Sequence, residues 1–130
     1  MINILANDGI SESAIELLRG KGFNVTNEHI NQDSLAESIN KNNYEVILVR
    51  SATKIRKELI DKCPGIRLIG RGGVGMDNID VEYAIDKGIK VINTPKASSL
   101  SVAELVFAHL FGMVRSLYDS NRKMPMDGEK

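Results

Sequence analysis

Cysteine, proline and tryptophan are scarce in this sequence. Its 130 residues include one cysteine, three prolines and no tryptophan, and aromatic residues make up only 5%. The single Cys63 cannot form an internal disulfide, which is typical of a reducing compartment, so we expect a cytoplasmic protein. The N-terminus also lacks the basic start and the apolar length of a secretory signal peptide.

Net charge and long apolar runs are missing as well. Seventeen basic residues balance seventeen acidic ones, so no overall field draws the chain to nucleic acid or acidic lipid, and we expect neither as a partner. The longest apolar stretch, 102–114, contains His109 and is too short to span a bilayer. No metal-ligand spacing and no Ser/His/Asp order for a nucleophile occur, so we expect no metal site.

What the sequence does contain is an alternation of short apolar runs with stretches of helical periodicity. The predicted strands are 2–6, 23–26, 46–49, 67–71 and 90–93, and the predicted helices are 11–21, 33–41, 56–61 and 81–87. Apolar strands separated by helices indicate a parallel sheet that is covered on both faces. The predicted fold class is therefore α/β, a doubly wound five-stranded parallel sheet with the flavodoxin-like order 2-1-3-4-5.

The C-terminal part is predicted to be one long helix. The pattern Ser101-x-x-Glu104 is typical of a capping box, and the helix is expected to run from about Val102 to Asp119. Its sequence is apolar nearly all round, which requires burial on more than one side, either by a partner subunit or by further chain. We expect residues 120–130 to form a loose tail.

Glycines interrupt the chain after the fourth predicted strand. The letters Gly70-x-Gly72-x-x-Gly75 match the dinucleotide-binding fingerprint, but they also suit a tight strand-to-helix turn. Two carboxylates, Asp77 and Asp80, precede the next helix and would repel a pyrophosphate there. We therefore interpret this fingerprint as accidental.

Three loops are predicted to meet at the carboxyl edge of the sheet, where open parallel sheets bind ligands. They carry Arg50 and Ser51 after strand three, glycines 72–75 after strand four, and residues 94–98 after strand five. Arginine and bare backbone amides bind carboxylate or phosphate. Other roles remain open, since Arg50 could pair with Glu58 on the surface, and serines before helices are often only caps. Two further cations, Lys54 and Arg71, are explained equally well as solvated surface residues and as functional ones.

A phosphoacceptor signalling domain shares this fold and roughly this length. Its chemistry needs a carboxylate at the end of strand three and an acidic pair after strand one. Strand three ends in Arg50, and strand one supplies only Asp8. A cation cannot accept the phosphoryl group, which excludes this class.

With the three loops in view, the sequence resembles the opening of the NAD-dependent D-2-hydroxyacid dehydrogenases. The segments that carry the resemblance are 49–54, 70–80, 93–95 and 101–105. The resemblance implies a substrate-binding domain over 1–98, a linking and dimerisation helix over 99–119, and a nucleotide-binding domain beyond residue 130. It implies NAD as cofactor, a homodimer formed through helix 102–119, and a substrate such as 3-phosphoglycerate or a related 2-hydroxy acid.

The resemblance also assigns the site residues. Arg50 and Ser51 would contact substrate, with Arg50 near its phosphate, and the backbone of Gly73 to Gly75 would hold the substrate carboxylate. Val74 would face the nicotinamide as well. Ser98 stands where members often place an asparagine that contacts ligand. The family's catalytic residues lie downstream, so we expect no catalytic residue in this chain and no turnover by it alone.

Two alternatives remain open from the sequence. One is a glyoxylate or hydroxypyruvate reductase of the same family, since such members share the scaffold. The other is a non-catalytic module that binds oxyanions or forms dimers.

Overall fold

The computed structural model describes residues 1–127 of the chain as alternating strands and helices followed by two further helices. In chain order the elements are β1 (Asn3–Ala6), α1 (Glu12–Gly20), β2 (Asn24–Asn27), α2 (Gln32–Lys41), β3 (Tyr44–Val49), α3 (Lys57–Lys62), β4 (Leu68–Arg71), α4 (Val81–Asp86), β5 (Lys90–Asn93), α5 (Ser99–Val114) and α6 (Leu117–Asp127).

The five strands form one parallel sheet in the order β2-β1-β3-β4-β5, which confirms the predicted fold class. Register fixes which residues stand side by side at its carboxyl edge. Arg71 is paired with Val49 on one side and with Asn93 on the other. The residues that follow these strands therefore start from one line across the edge of the sheet.

Alternation along the strands divides the core between the two faces of the sheet. Ile4 packs with Ile15 of α1 and Val25 of β2, whereas the next residue, Leu5, belongs to a larger cluster on the other face. Helices α2, α3 and α4 contribute to that larger cluster through the buried side chains of Leu35, Ile39, Leu59, Ile60 and Ala84. Helices thus cover both faces, as a doubly wound sheet requires.

The C-terminal part differs from the single long helix predicted by the sequence. Helix α5 begins at Ser99, so Ser101 lies inside the helix and is not its cap. The helix ends at Val114, and α6 occupies Leu117–Asp127, where residues 120–127 were expected to be loose. The remaining predicted tail, 128–130, lies outside the described residues.

A left-handed backbone at Ser116 separates the two helices. Its φ of 48° cannot continue a right-handed helix. The amides of Arg115 and Ser116 still bond to the carbonyls of Phe111 and Met113, at 3.0 and 3.1 Å, and these bonds close the last turn of α5. Apolar periodicity continues across this point, so the pattern alone predicted one helix.

The chain divides into two compact units, residues 1–95 and residues from 96 onward. The assignment of 1–98 to a substrate-binding domain and of 99–119 to a linking helix stays a prediction about function. Among the described residues, no single helix is long and apolar enough to cross a membrane. Helices α5 and α6 reach that length and composition only as a pair, bent by 56°.

Two glycines with open surroundings provide a test of this backbone. A Cβ would meet no atom within 4 Å at either Gly20 or Gly88, but Gly88 has a φ of +79°. Replacement Gly88→Ala is expected to destabilise the protein by about 1–2 kcal/mol, because alanine resists the left-handed conformation. Replacement Gly20→Ala, at the end of α1, is expected to stabilise it by up to about 1 kcal/mol. Urea denaturation of both variants checks the prediction, and equal effects of the same sign would contradict it.

Candidate functional site

Buried polar side chains join the loops that follow β1 and β3. Asn7 is 2% exposed and donates through Nδ2 to the hydroxyl of Thr53 at 2.8 Å. The same side chain exchanges hydrogen bonds with the main chain of Ile30, which follows β2. Thr53 is 3% exposed, and its hydroxyl donates to the carboxylate of Asp8. Each buried donor therefore has an acceptor, and the two loops hold one another in place.

Asn78 connects the loop after β4 to the same cluster. Its Nδ2 donates to the carbonyls of Arg50 and Thr53, at 2.8 and 2.7 Å. The main-chain carbonyl of Asn78 accepts from the amide of Ile55 at 2.9 Å, beside a parallel bridge between Ile55 and Ile79. We call Asn7, Asp8, Thr53 and Asn78 the loop clamp, because together they fix the segments after β1, β3 and β4.

Asp8 holds the start of the β3 loop through its carboxylate. It accepts from the amide of Arg50 at 2.7 Å and from the amide of Thr53 at 3.1 Å. Burial opposes ionisation of Asp8, but the hydrogen bonds from Thr53 and Arg50, with the nearby charge of His29, outweigh it, so the pKa of this carboxyl lies below its usual value. Asp8 therefore fixes the main chain of Arg50 and leaves its side chain exposed.

The segment 72–80 between β4 and α4 is a long loop, so the interpretation as a tight strand-to-helix turn is wrong. A dinucleotide fingerprint is also unsupported, because no helix starts at the glycines. Asp80 stands at the N-cap of α4, but its carboxylate pairs with Arg56 at 2.9 Å and accepts from the amide of Lys57. The hydrogen bond from Arg56 keeps the pKa of Asp80 below its usual value.

A cavity of about 750 Å³ lies at the carboxyl edge of the sheet. The ends of β3, β4 and β5 all line it, so the predicted loops converge as far as Arg50, Gly72 and Thr94. The turn after β1 forms a further wall that the sequence reasoning did not include, although Asp8 and Gly9 follow a predicted strand of the same sheet. The lining residues are Asp8, Gly9, Ile10, Ser11, Ala14, Leu48, Val49, Arg50, Gly70, Arg71, Gly72, Ile92, Asn93 and Thr94.

Arg50 lines this cavity, and its stem packs beside Gly72. A Cβ placed on Gly72 would lie 3.6 Å from Cγ of Arg50. Within residues 1–127 no ion pair joins Arg50 to Glu58, so the alternative of a surface pair with that residue is wrong. Ser51 is exposed next to Arg50 but does not line the cavity. Its contact with a ligand stays a prediction.

The glycine loop is tied to β5, and part of its donor capacity is already used. The amide of Gly73 donates to the carbonyl of Arg71 at 3.0 Å, so the expectation that all amides from Gly73 to Gly75 are bare is wrong at this residue. The carbonyls of Gly73 and Val74 accept from the amide of Thr94 and from Nδ2 of Asn93. Within residues 1–127, the amides of Val74 and Gly75 have no protein acceptor, and the side chain of Val74 is 53% exposed.

Ser98 belongs to the second unit of the chain. It occupies the N-cap position of α5, and its side chain makes no capping hydrogen bond. The side chain of Ser98 therefore does not cap the helix. Its contact with a ligand stays a prediction.

The sequence left the role of Arg71 open between solvation and function, and the structure places its guanidinium in this part of the site. Arg71 lines the cavity, and a Cβ on Gly73 would lie only 2.3 Å from its Nη1. The available signal was its position as the last residue of β4, beside Val49 and Asn93. Among the described residues, no group of three or more His, Cys, Asp or Glu side chains could hold a metal ion.

The strand ends carry two arginines that line one cavity, and the adjoining loop carries the unpaired amides of Val74 and Gly75, so the chain is a doubly wound α/β domain with oxyanion donors at its carboxyl edge. A family model described as "D-isomer specific 2-hydroxyacid dehydrogenase, catalytic domain" matches residues 4–116. The chain belongs to this family of D-isomer-specific 2-hydroxyacid dehydrogenases.

The most similar relatives include two kinds of enzyme. A D-3-phosphoglycerate dehydrogenase from Methanocaldococcus jannaschii is 41% identical over 117 residues, which cover 90% of this chain and 22% of that protein. A hydroxypyruvate reductase from Thermotoga maritima is 42% identical over 112 residues, or 85% of this chain and 36% of that protein. The NAD-bound 3-phosphoglycerate dehydrogenase of Entamoeba histolytica has a similar structure, with a TM-score of 0.69 and 28% identity, over 85% of this chain and 38% of that one.

This chain therefore spans between about a fifth and about two fifths of the length of these relatives. The matched region contains the whole cavity and its loop clamp.

The lowered pKa of Asp8 predicts that its contribution to the stability of the fold depends on pH. Because its pKa is lower in the folded state than in the unfolded state, its stabilisation is present above the unfolded value of 3.8 and disappears as pH falls through the folded value. At pH 7, Asp8→Asn is expected to lower the free energy of unfolding by about 2 kcal/mol, the scale of hydrogen bonds to a charged group. The difference from wild type should shrink below about pH 4.

Urea denaturation at several pH values measures this difference. The matched control is Asp86→Asn at the exposed end of α4, which should show a small difference at every pH. A cost for Asp8→Asn that is the same at pH 7 and pH 3 would contradict the assigned role.

Proposed function

We propose that this chain is the substrate-binding part of an NAD-dependent D-3-phosphoglycerate dehydrogenase, the enzyme that oxidises 3-phosphoglycerate at the start of serine biosynthesis. The observation that carries the proposal is the position of Arg50. Its main chain is clamped by Asp8 and Asn78, while its side chain lines the cavity at the carboxyl edge of the sheet. Relatives that are D-3-phosphoglycerate dehydrogenases, such as the one from M. jannaschii, support the choice of substrate.

In this proposal the two charged ends of the substrate bind to different groups of the chain. The guanidinium of Arg50 binds the phosphate, with the hydroxyl of Ser51 beside it. The unpaired amides of Val74 and Gly75 hold the carboxylate, as backbone donors commonly do for oxyanions. Ser98 is proposed as a further contact.

The residues of this chain fit only the nicotinamide end of NAD. The glycine loop lacks the helix start that would hold a pyrophosphate, whereas the exposed side chain of Val74 offers an apolar contact for the nicotinamide. When bound, NAD would accept a hydride from C2 of the hydroxy acid while a downstream base takes the hydroxyl proton. The contribution of this chain is to bind and orient the substrate, which lowers the barrier by fixing the reacting carbon.

A hydroxypyruvate reductase is the second candidate, and the relative from T. maritima favours it. Hydroxypyruvate carries no phosphate, so the two candidates differ in whether Arg50 meets a dianionic group. No observation favours a non-catalytic module. Reading the gene past Lys130 tests that alternative, since an enzyme requires a strand, a Gly-x-Gly-x-x-Gly segment and a helix within a few tens of residues.

We further propose that the protein is a homodimer formed through α5. Large apolar side chains along this helix are about half exposed or more, and Phe107 and Phe111 stack at a centroid distance of 6.2 Å. An exposed apolar surface of this kind is typical of a protein interface, and a second copy of the chain is the simplest occupant. The exposed members are Leu100, Val102, Leu105, Val106, Phe107, Leu110, Phe111, Met113 and Val114.

A cytoplasmic location without nucleic acid or membrane as a partner completes the proposal. Cys63 is free and buried, and burial raises the pKa of its thiol, so it remains protonated and unreactive. A buried free thiol suits a reducing compartment.

Arg50→Met tests the proposed substrate site. Removal of the guanidinium is expected to weaken binding of 3-phosphoglycerate by at least about tenfold, because a charged hydrogen-bonding partner of the phosphate is lost. Titration of the chain followed by NMR measures the dissociation constant even when binding is weak. The matched control is Arg67→Met, which removes an exposed arginine that pairs with Glu45 before β4. An unchanged dissociation constant in Arg50→Met, or an equal loss in Arg67→Met, would exclude Arg50 from the site.

Phe107→Asp tests the proposed dimer. In a two-fold symmetric interface each substitution acts twice, so loss of this aromatic side chain should raise the dimer dissociation constant at least about a hundredfold. Sedimentation equilibrium measures the constant, and Ser101→Asp on the same helix serves as the control. A wild-type protein that stays monomeric at high micromolar concentration would contradict the proposal.

A further inference from the structure

A second arginine, Arg71, lines the same cavity as Arg50. We propose that Arg71 binds the substrate directly together with Arg50, and that it sets a preference for phosphorylated over unphosphorylated 2-hydroxy acids. The inference rests on the proposed function, because it assigns a specificity-determining residue to the same site. It concerns the charge of the substrate, which the family alone does not determine.

Register brings the two arginines together. Arg71 is the last residue of β4, and its Cα partner on β3 is Val49, which directly precedes Arg50. Neighbouring strands are about 4.8 Å apart, so the main chains of the two residues lie close together, although side chains alternate between the faces of the sheet. The side chains meet the start of the glycine loop, since a Cβ on Gly72 would lie 3.6 Å from Cγ of Arg50 and one on Gly73 would lie 2.3 Å from Nη1 of Arg71. Both arginines line one cavity.

Arg50 and Arg71 differ from the other arginines of residues 1–95, which all have a partner in the protein. Arg19 donates to the carbonyl of Val25, Arg56 pairs with Asp80, and Arg67 pairs with Glu45. Within the described residues, the guanidinium groups of Arg50 and Arg71 have no protein acceptor, and Nε of Arg71 is buried without a hydrogen-bond partner. A buried donor of a charged group that lacks an acceptor is costly, and an anionic ligand would supply the acceptor.

The carboxylate in the cavity wall pairs with neither guanidinium group in the described residues. Asp8 is the acid among the lining residues, and its oxygens accept from the amide of Arg50 and from the amide and hydroxyl of Thr53. These bonds hold the loop and leave both guanidinium groups available. The cavity therefore presents two cations to a ligand.

The loop backbone is shaped to keep Arg71 in this position. A Cβ on Gly73 would lie 2.3 Å from Nη1 and 3.0 Å from Cζ of Arg71, so the guanidinium rests where any other residue would place its side chain. The arrangement holds the planar group against the glycine loop at Gly73.

Two guanidinium groups favour a ligand that carries a phosphate dianion in addition to a carboxylate. Attraction between charges grows with the charge on the ligand, and arginine binds phosphate through two parallel hydrogen bonds. Removal of Arg71 should therefore weaken binding of 3-phosphoglycerate much more than binding of glycerate, which has the same carbon skeleton and a single carboxylate. A purely structural role would weaken both alike.

The test is an NMR titration of the chain and its Arg71→Met variant with 3-phospho-D-glycerate and with D-glycerate. We expect Arg71→Met to raise the dissociation constant of the phosphorylated ligand at least about tenfold and that of glycerate less than about threefold. The Nε–H resonance of Arg71 should shift in the wild type when 3-phosphoglycerate is added. The control Arg67→Met should leave both constants unchanged.

The failures of the two proposals are distinguishable. If Arg50→Met loses affinity but Arg71→Met binds both ligands like the wild type, the role of Arg71 is overturned and the proposed function stands. Equal losses for both ligands in Arg71→Met would also overturn it, because they would place Arg71 at the shared carboxylate. If the wild type binds neither ligand, both proposals fail.

If Arg71→Met loses its folded spectrum, Arg71→Lys decides the question. Lysine keeps the charge but lacks the planar pair of donors. An intermediate loss that is larger for 3-phosphoglycerate than for glycerate supports the role of Arg71, and an unchanged ratio of the two constants overturns it.

Discussion

The site depends on the hydrogen bonds that the loop clamp makes in the interior of the first unit. Asn7, Thr53 and Asn78 are each less than a tenth exposed, and they join segments that are far apart in sequence. The side-chain donors of all three residues have acceptors, and only Oδ1 of Asn78 lacks a partner within the described residues. Buried donors are stabilising only when they are matched in this way, so the loops have one favourable arrangement. That arrangement fixes the position of Arg50, because its main-chain carbonyl and amide both form hydrogen bonds with members of the loop clamp.

The framework could be predicted from the sequence, because it follows from apolar patterning. Strand β5 was predicted with the bounds that the structure gives it, and the strand order was correct. The convergence of the loops at one edge follows from parallel topology and required no knowledge of side-chain positions. The break between α5 and α6 was missed, since a left-handed serine inside an apolar stretch leaves no periodic signal.

Side-chain partners within the loops could not be predicted. The sequence does not distinguish a solvated asparagine or threonine of a loop from a buried one, so neither composition nor spacing indicated the loop clamp. The role of Arg71 stayed undecided for a related reason. Its orientation depends on the space left by Gly73, two residues further along, and on the register of β4 with β3. Such contacts depend on tertiary structure, whereas the helix and strand pattern depends on local sequence.

The border between core and solvent at the end of β3 falls between two consecutive residues. Val49 is 2% exposed, whereas its neighbour Arg50 is exposed and lines the cavity. Side chains of the cavity wall can therefore be exchanged one position away from those that maintain the fold, at little thermodynamic cost. A scaffold with this property can change the charge and shape of its cavity while its core stays the same.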